Sequence, residues 1–130
     1  VDRASDYGIS ADRVVVDPLV MPVGAVNTAG RQVMELLRRL REELKVNTTC
    51  GASNISFGLP NRTGLNAAFI SMAIASGMTS AITNPLHPGL MQAVRGADVV
   101  MGHDAECMAW IGANRPAEGQ GRRRRRASPG

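Results

Sequence analysis

Residues 12–17 read DRVVVD, and residues 46–50 read VNTTC. The first run sets Val14, Val15 and Val16 side by side between acidic residues. Adjacent β-branched side chains with no period-2 alternation suit a strand buried on both faces, as in a parallel sheet. The second run leads into GASNISFGLPNR (51–62), a loop too polar and small-residue-rich to be core. A third short run, TSAIT (79–83), ends in Asn84-Pro85. Helical patterns lie between and after these runs. In TAGRQVMELLRRLREEL (28–44), Val33, Leu36, Leu37, Leu40 and Leu44 recur at helical spacing and mark an inward face. Glu35–Arg39 and Arg38–Glu42 are i,i+4 pairs on its solvated side. In TGLNAAFISMAIAS (63–76), Leu65, Phe69, Met72 and Ala73 face one way, Ile70 and Ile74 cover a second flank, and Gly77 suits the C′ position. Pro88 suits the first position of a helix over 88–101, with Leu90, Val94, Ala97 and Met101 inward. AECMAWIG (105–112) is the last stretch expected to be ordered.

The order is β-α-β-α-β-α with short connections. That implies parallel strands joined by right-handed crossovers, hence an α/β fold. Two architectures fit: a doubly wound sheet, or part of a (β/α)8 barrel. A whole barrel takes ~250 residues, and three strands cannot close one. If the fold is a barrel, this chain holds a portion of it. The sequence opens without methionine, and Ala4–Gly8 reads as the end of a helix, so truncation at the N-terminus is expected.

The chain has 130 residues, 44% hydrophobic and 20% charged, which fits one domain. Two cysteines, Cys50 and Cys107, exclude a disulfide-stapled scaffold and a four-cysteine zinc site. No apolar run approaches the ~18 residues of a membrane span, and VDRASDYGIS has no secretory character, so a cytoplasmic location is expected. The net charge of +4 is unevenly placed. Residues 113–130 hold six of the 15 basic groups and one of the 11 acidic groups, leaving residues 1–112 with nine basic and ten acidic groups. The basic balance therefore belongs to an Arg-rich tail over 113–130, expected to be disordered, and not to the fold over 1–112. Arg122–Arg126 could attract nucleic acid or anionic lipid, and RRAS (125–128) looks like a basic kinase site, but no aromatic residues interleave the arginines. A solvated tail is the expectation, with neither a nucleic-acid nor a membrane partner.

In parallel α/β folds, binding groups collect at the C-terminal ends of strands. Those ends carry Asp17, then Asn54 within Gly51–Ser56, then Asn84. One carboxylate and two carboxamides make a hydrogen-bonding set rather than a nucleophile-base set. Such a set suits a flat heterocycle with several N–H and C=O positions. Asp17 before Pro18 could equally be a turn cap, and Asn54 could shape its loop in the left-handed conformation. Cys50, His87, His103 and Cys107 lack metal-ligand spacing, so no metal site is expected. Cys50 reads as a small buried hydrophobe, since no base lies near it in sequence. No Walker or GxGxxG pattern follows a strand. Three glycosylation sequons, at Asn47, Asn54 and Asn61, read as chance matches in the absence of a secretory signal.

The stretches ADRVVVDPLVMPVG, TTCGASNISFGLPNR, LNAAFISMAIASGM and AITNPLHPGLMQAV resemble the pterin-binding methyltransferases. These enzymes transfer the methyl of 5-methyltetrahydrofolate to a corrinoid cobalt. The resemblance covers residues 1 to about 112, and DPL after the first strand with SNIS after the second carries most of it. It implies a (β/α)8 TIM barrel shared with dihydropteroate synthase, of which this chain would be the last three β/α units. It implies that Asp17 hydrogen-bonds the pterin ring, that Asn54 reaches pterin N5 as the catalytic group, and that Gly51 and Ser53 shape the loop carrying Asn54. The implied substrates are methyltetrahydrofolate and a corrinoid (cobalamin) on a partner protein or domain, with a possible homodimer in the complete protein. Two positions depart from the family pattern: Ala52 stands where Leu is usual, and Asn84 stands where the third strand commonly ends in Asp. Asn84 is carried as a further pterin-binding candidate without that charge. Dihydropteroate synthase chemistry is a second reading, but TSAITNPL has no Arg or His before His87 to serve it. A third reading is a non-catalytic fragment or interaction module with a basic tail. The family's other pterin-binding Asp and Asn belong to earlier strands, so the isolated chain is expected to be inactive, and unstable or self-associating.

Overall fold

The computed structural model describes residues 1–116. A short helix α1 (Asp2–Asp6) comes first and closes on Gly8, whose φ of +74° only glycine adopts freely. Gly8 N–H donates to Ser5 O and Ile9 N–H to Ala4 O, the paired bonds of a Schellman ending. Ala4–Gly8 is therefore the helix end that the sequence suggests.

Strand β1 (Val15–Val16) pairs in parallel with β2 (Asn47–Thr48), Val15 opposite Asn47 and Val16 opposite Thr48. The expected third strand, 79–83, is reduced to a segment that runs along the far side of the two-stranded sheet, beside β2, with a single bridge at Ile82. Ser80 N–H donates to Thr48 O (3.0 Å), Ile82 N–H to Cys50 O (2.7 Å) and Ala52 N–H to Ile82 O (3.1 Å). The bridge between Gly51 and Ile82 is parallel. Thr48 and Thr79 fix the register at the base of this pairing: the Thr79 hydroxyl accepts from Thr48 N–H at 2.8 Å, and the Thr48 hydroxyl accepts from Thr79 N–H at 3.2 Å. The order is thus mixed helix and parallel strand, as expected, but the strands are much shorter than the five- and six-residue runs that suggested them. Ala11–Arg13 winds into a 3-10 turn before β1, and Ala52–Ser56 does the same after β2.

Helix α2 (Ala29–Arg39) continues as one wide turn over Leu40–Leu44 and stops at left-handed Lys45. Helix α3 (Arg62–Ala75) ends in a Schellman motif, with Gly77 at φ +105°. Its bonds run from Gly77 N–H to Ile74 O and from Met78 N–H to Ala73 O. Helix α4 (Pro88–Val100) starts on its proline, and α5 (Met108–Asn114) lays Trp110 against Gly96.

The core joins Val33, Met34 and Leu37 of α2, Cys50, Ala52 and Ile55 beyond β2, Phe69, Ile70, Ala73 and Ile74 of α3, and Leu90 of α4. It lies between the helices and one face of the sheet. Several inward assignments need correction: Leu36, Leu44, Leu65, Met72 and Met101 are exposed. The buried stripe of α2 is Ala29, Val33, Met34, Leu37 and Leu40, rotated from the expected one. The ion pair on α2 is Arg39–Glu43 at 3.0 Å instead of the two pairs expected. The expectation that β1 is buried on both faces also fails. Val15 is 57% exposed and Ile82 is 69% exposed, because no described residue covers that face of the sheet. Among the described residues, no helix is long and apolar enough to cross a membrane. The Arg-rich run from Arg122 lies outside the described residues.

Candidate functional site

The loops at the C-terminal ends of the three strands sit side by side. Asp17 leaves β1 and turns the chain at once: its Oδ1 accepts from Leu19 N–H at 2.8 Å, and Leu19 takes a left-handed φ of 60°. Asn84 does the same at the end of the third strand, its Oδ1 accepting from Leu86 N–H at 3.0 Å. Asp17-Pro18-Leu19 and Asn84-Pro85-Leu86 are therefore equivalent Asx turns. The turn needs an oxygen acceptor but no charge, so asparagine replaces aspartate there without changing the backbone. Both residues are exposed, and each turn uses only Oδ1. At Asp17 the second carboxylate oxygen keeps its hydrogen-bonding capacity.

Asn54 stands in the 3-10 turn Ala52–Ser56 and is not left-handed, which corrects one of the two readings offered for it. The left-handed asparagine is Asn61, just before α3. The Asn54 side-chain amide Nδ2 donates to Val20 O, across 34 residues of chain. A second bond, Val23 N–H to Ile55 O at 3.0 Å, ties the same two loops. A carbonyl only accepts, so the group facing Val20 must be the Asn54 NH2. The amide orientation is thereby determined, and Oδ1 is left as an exposed acceptor. Gly51 holds the parallel bridge to Ile82 and so sets where this turn begins.

Cys50 lies at the foot of this loop, fully buried, with its Sγ 3.3 Å from Met78 Sδ. Burial pushes the thiol up to about 11, and the nearby Asp17 carboxylate pushes it the same way. At neutral pH it is a protonated, inert group, in line with its reading as a small hydrophobe.

Ser53 and Asn84 line a common recess of about 280 Å³ with Arg62, Thr63, Asn66, His87 and Leu90. Asp17 and Asn54 are not part of that recess. The five candidate residues therefore divide between two neighbouring places: Asp17, Gly51 and Asn54 around the first two loops, and Ser53 and Asn84 facing the third. Arg62, Asn66 and His87 were missed in the sequence. The signal available was Asn61-Arg62 directly ahead of a helix, but Arg62's partners, Ser53 and Ser56, are apparent only in three dimensions. Among the described residues no three His, Cys, Asp or Glu side chains gather in a way that holds a metal ion.

The description "pterin binding enzyme" matches residues 1–84 of the chain. This chain belongs to the pterin-binding enzyme family. Within that family it is 31% identical over 116 residues to the methylcorrinoid:tetrahydrofolate methyltransferase of Eubacterium limosum. The match takes in 88% of this chain but 43% of that protein, so the chain spans less than half the length of this relative. Pterin-binding enzymes are TIM barrels, and parallel strands with helices against one face agree with that architecture. The family match covers β1, β2, the segment over 79–83 and the two loops that carry Asp17 and Asn54, and it ends at Asn84.

Proposed function

We propose that residues 1–112 are the last three β/α units of a pterin-binding (β/α)8 barrel. The proposed reaction moves a methyl group between N5 of a tetrahydrofolate and the cobalt of a corrinoid on a partner protein or domain. The relative's name gives the direction as methylcorrinoid to tetrahydrofolate. The resemblance in the sequence implies the opposite direction. Both directions cross one transition state, so the same protein groups serve either.

The observation that carries this reading is the Asn54 amide, held by Val20 O so that Oδ1 is the outward acceptor. As the C–N5 bond breaks, its electron pair returns to N5, which carries a proton. In the direction that methylates the folate, N5 becomes cationic as its lone pair bonds the methyl carbon, so an acceptor aimed at its N–H is worth more in the transition state than in the ground state, which is the requirement for catalysis. The N5 proton is released to solvent after methylation and, in the demethylating direction, is taken up from solvent before the C–N5 bond breaks. Asp17, with one oxygen spent on its turn, has the other for a ring N–H. Two acceptors suit the N–H-rich edge of a pterin. The corrinoid supplies the cobalt that accepts or gives the methyl.

The two acceptors are exposed and contribute roughly 1 kcal/mol each, against the ~8 kcal/mol of a micromolar complex. We assign the rest of the pterin contacts to barrel units outside this chain, and the homodimer and corrinoid partner to the complete enzyme. The test is Asn54→Ala in the enzyme with a complete barrel. Methyl transfer should fall by ~10²-fold or more in kcat, with a smaller change in folate binding. Unchanged kinetics would remove Asn54 from the mechanism.

A further inference from the structure

Asp17-Pro18-Leu19 and Asn84-Pro85-Leu86 close the same hydrogen bond, yet their leucines differ. Leu19 takes a left-handed φ of 60°, and Leu86 does not take a positive φ. The Asx turn itself therefore does not require a left-handed leucine. The other left-handed non-glycine residues among the described ones stand in or at the ends of helical turns: Lys45 after the wide turn that follows α2, Asn61 before α3, and Glu106 and Cys107 before α5. Leu19 differs from them in lying between a strand and a loop. Left-handed backbone is unfavourable for leucine, because its Cβ crowds the following carbonyl oxygen. Burial of the side chain does not hold it there, since Leu19 is 69% exposed.

What holds Leu19 lies on either side of it. Before it, the Asp17 carboxylate accepts from the Leu19 N–H. After it, the Val20 side chain is buried in the core with Cys50, Ala52 and Ile55. The Val20 carbonyl accepts from Asn54 Nδ2, and Val23 N–H to Ile55 O closes the tie between the two loops. Moving φ of Leu19 to the ordinary region, about −60°, would rotate all that follows by about 120° around its N–Cα bond. The buried side chain and the bonded carbonyl of Val20 could not both survive that rotation. Backbone strain kept in place by its surroundings at a candidate site is the form that a positioning device takes.

We propose that Leu19 is a positioning residue for methyl transfer. Its left-handed backbone aims the Val20 carbonyl at the Asn54 amide, and that fixes Asn54 Oδ1 as the outward acceptor before folate arrives. Leu19 acts through Val20, by its backbone and not by its exposed side chain. The inference rests on the pterin reading for the reaction, whereas the lock on Asn54 is observable without a ligand. An acceptor set in advance needs no reorganisation during the reaction, so Leu19 bears on kcat more than on folate binding.

The test compares isomeric side chains. Leu19→Ile retains size and apolar character but is β-branched, the class least tolerant of a positive φ. Leu19→Asn and Leu19→Gly accept that φ. In the 130-residue chain without ligand, NMR reads the two Asn54 Nδ2 protons, and the HN–Hα distance within residue 19 gives the sign of its φ. In the unaltered chain the two protons should be well separated, with the one bonded to Val20 O slow to exchange with water. Leu19→Asn and Leu19→Gly should preserve that pattern, and Leu19→Ile should collapse it to that of a solvated amide. In the enzyme with a complete barrel, Leu19→Ile should lower kcat by about tenfold or more with a smaller change in KM, and Leu19→Asn should restore it. A negative φ at residue 19 of the unaltered chain overturns the proposal and depends on no variant. So does an Asn54 pattern unchanged in Leu19→Ile, or one lost equally in all three variants, which would trace it to the leucine side chain. An Asn54 amide that unlocks in Leu19→Ile while kcat stays unchanged leaves the backbone lock standing but removes Asn54, and Leu19 with it, from the mechanism.

Discussion

Asp17 and Asn84 make one kind of turn with two different side chains, and what separates them is the charge left over. Each gives one oxygen to the amide two residues on. The two readings of Asp17 open in the sequence, turn cap and ligand group, are compatible, because a carboxylate has a second oxygen. Asn54 was only partly legible. Its place in a polar loop after a strand is visible in the sequence, but its orientation depends on Val20, a contact across 34 residues that no local pattern encodes. Cys50 yields a prediction with a defined sign. Its folded-state value is raised from 9.0 to about 11 by burial and by Asp17. Between those values the unfolded thiol has lost its proton while the folded one retains it. Stability from this group is therefore fully present below pH ~9 and is lost as pH rises toward 11, by an amount on the order of 2 kcal/mol. Urea midpoints should fall across that window in the native chain and fall less in Cys50→Ala. Equal declines would mean that Cys50 does not titrate as its burial requires.

The helices were the most legible elements, since 3.6-residue periodicity and end signals are local. Pro88 and Gly77 stand at the ends expected for them. The faces were less so. Leu36, Leu65 and Met72 satisfy the spacing of an inward stripe and yet lie exposed, because the stripe that packs is chosen by the neighbouring helices. The strands were overestimated. Thr79, Ser80 and Thr49 bear β-branched or small side chains that suit extension, but regular pairing spans only two residues in each of β1 and β2. The end of α3 offers a stringent test. Gly77 has φ +105°, and a Cβ there would come within 3.1 Å of Arg41 Cβ. Gly77→Ala should destabilise the chain by at least ~1 kcal/mol, read as a lower denaturant midpoint with an unchanged slope. A neutral effect would mean that the α3 ending relaxes freely and does not hold the third strand in place.

At the scale of the whole molecule the sheet has helices on one face, and Val15 and Ile82 lie open on the other. The chain reads as α/β from its sequence because element order is written there, whereas what covers the second face is not. Open strand edges and an uncovered apolar face promote association. The described surface also exposes Leu19 at 69% and Leu86 at 87%, beside the loops that end the strands. Sedimentation of the purified chain should therefore show mass increasing with concentration; a monomer unchanged to millimolar concentration would contradict the uncovered face. The measurement that tests the central claim most directly is a titration of 5-methyltetrahydrofolate into the chain, read at the Asn54 side-chain amide. The account predicts that Asn54 shifts with a Kd well above micromolar, as two exposed acceptors allow. An Asn54 signal that stays in place through saturating folate would contradict it.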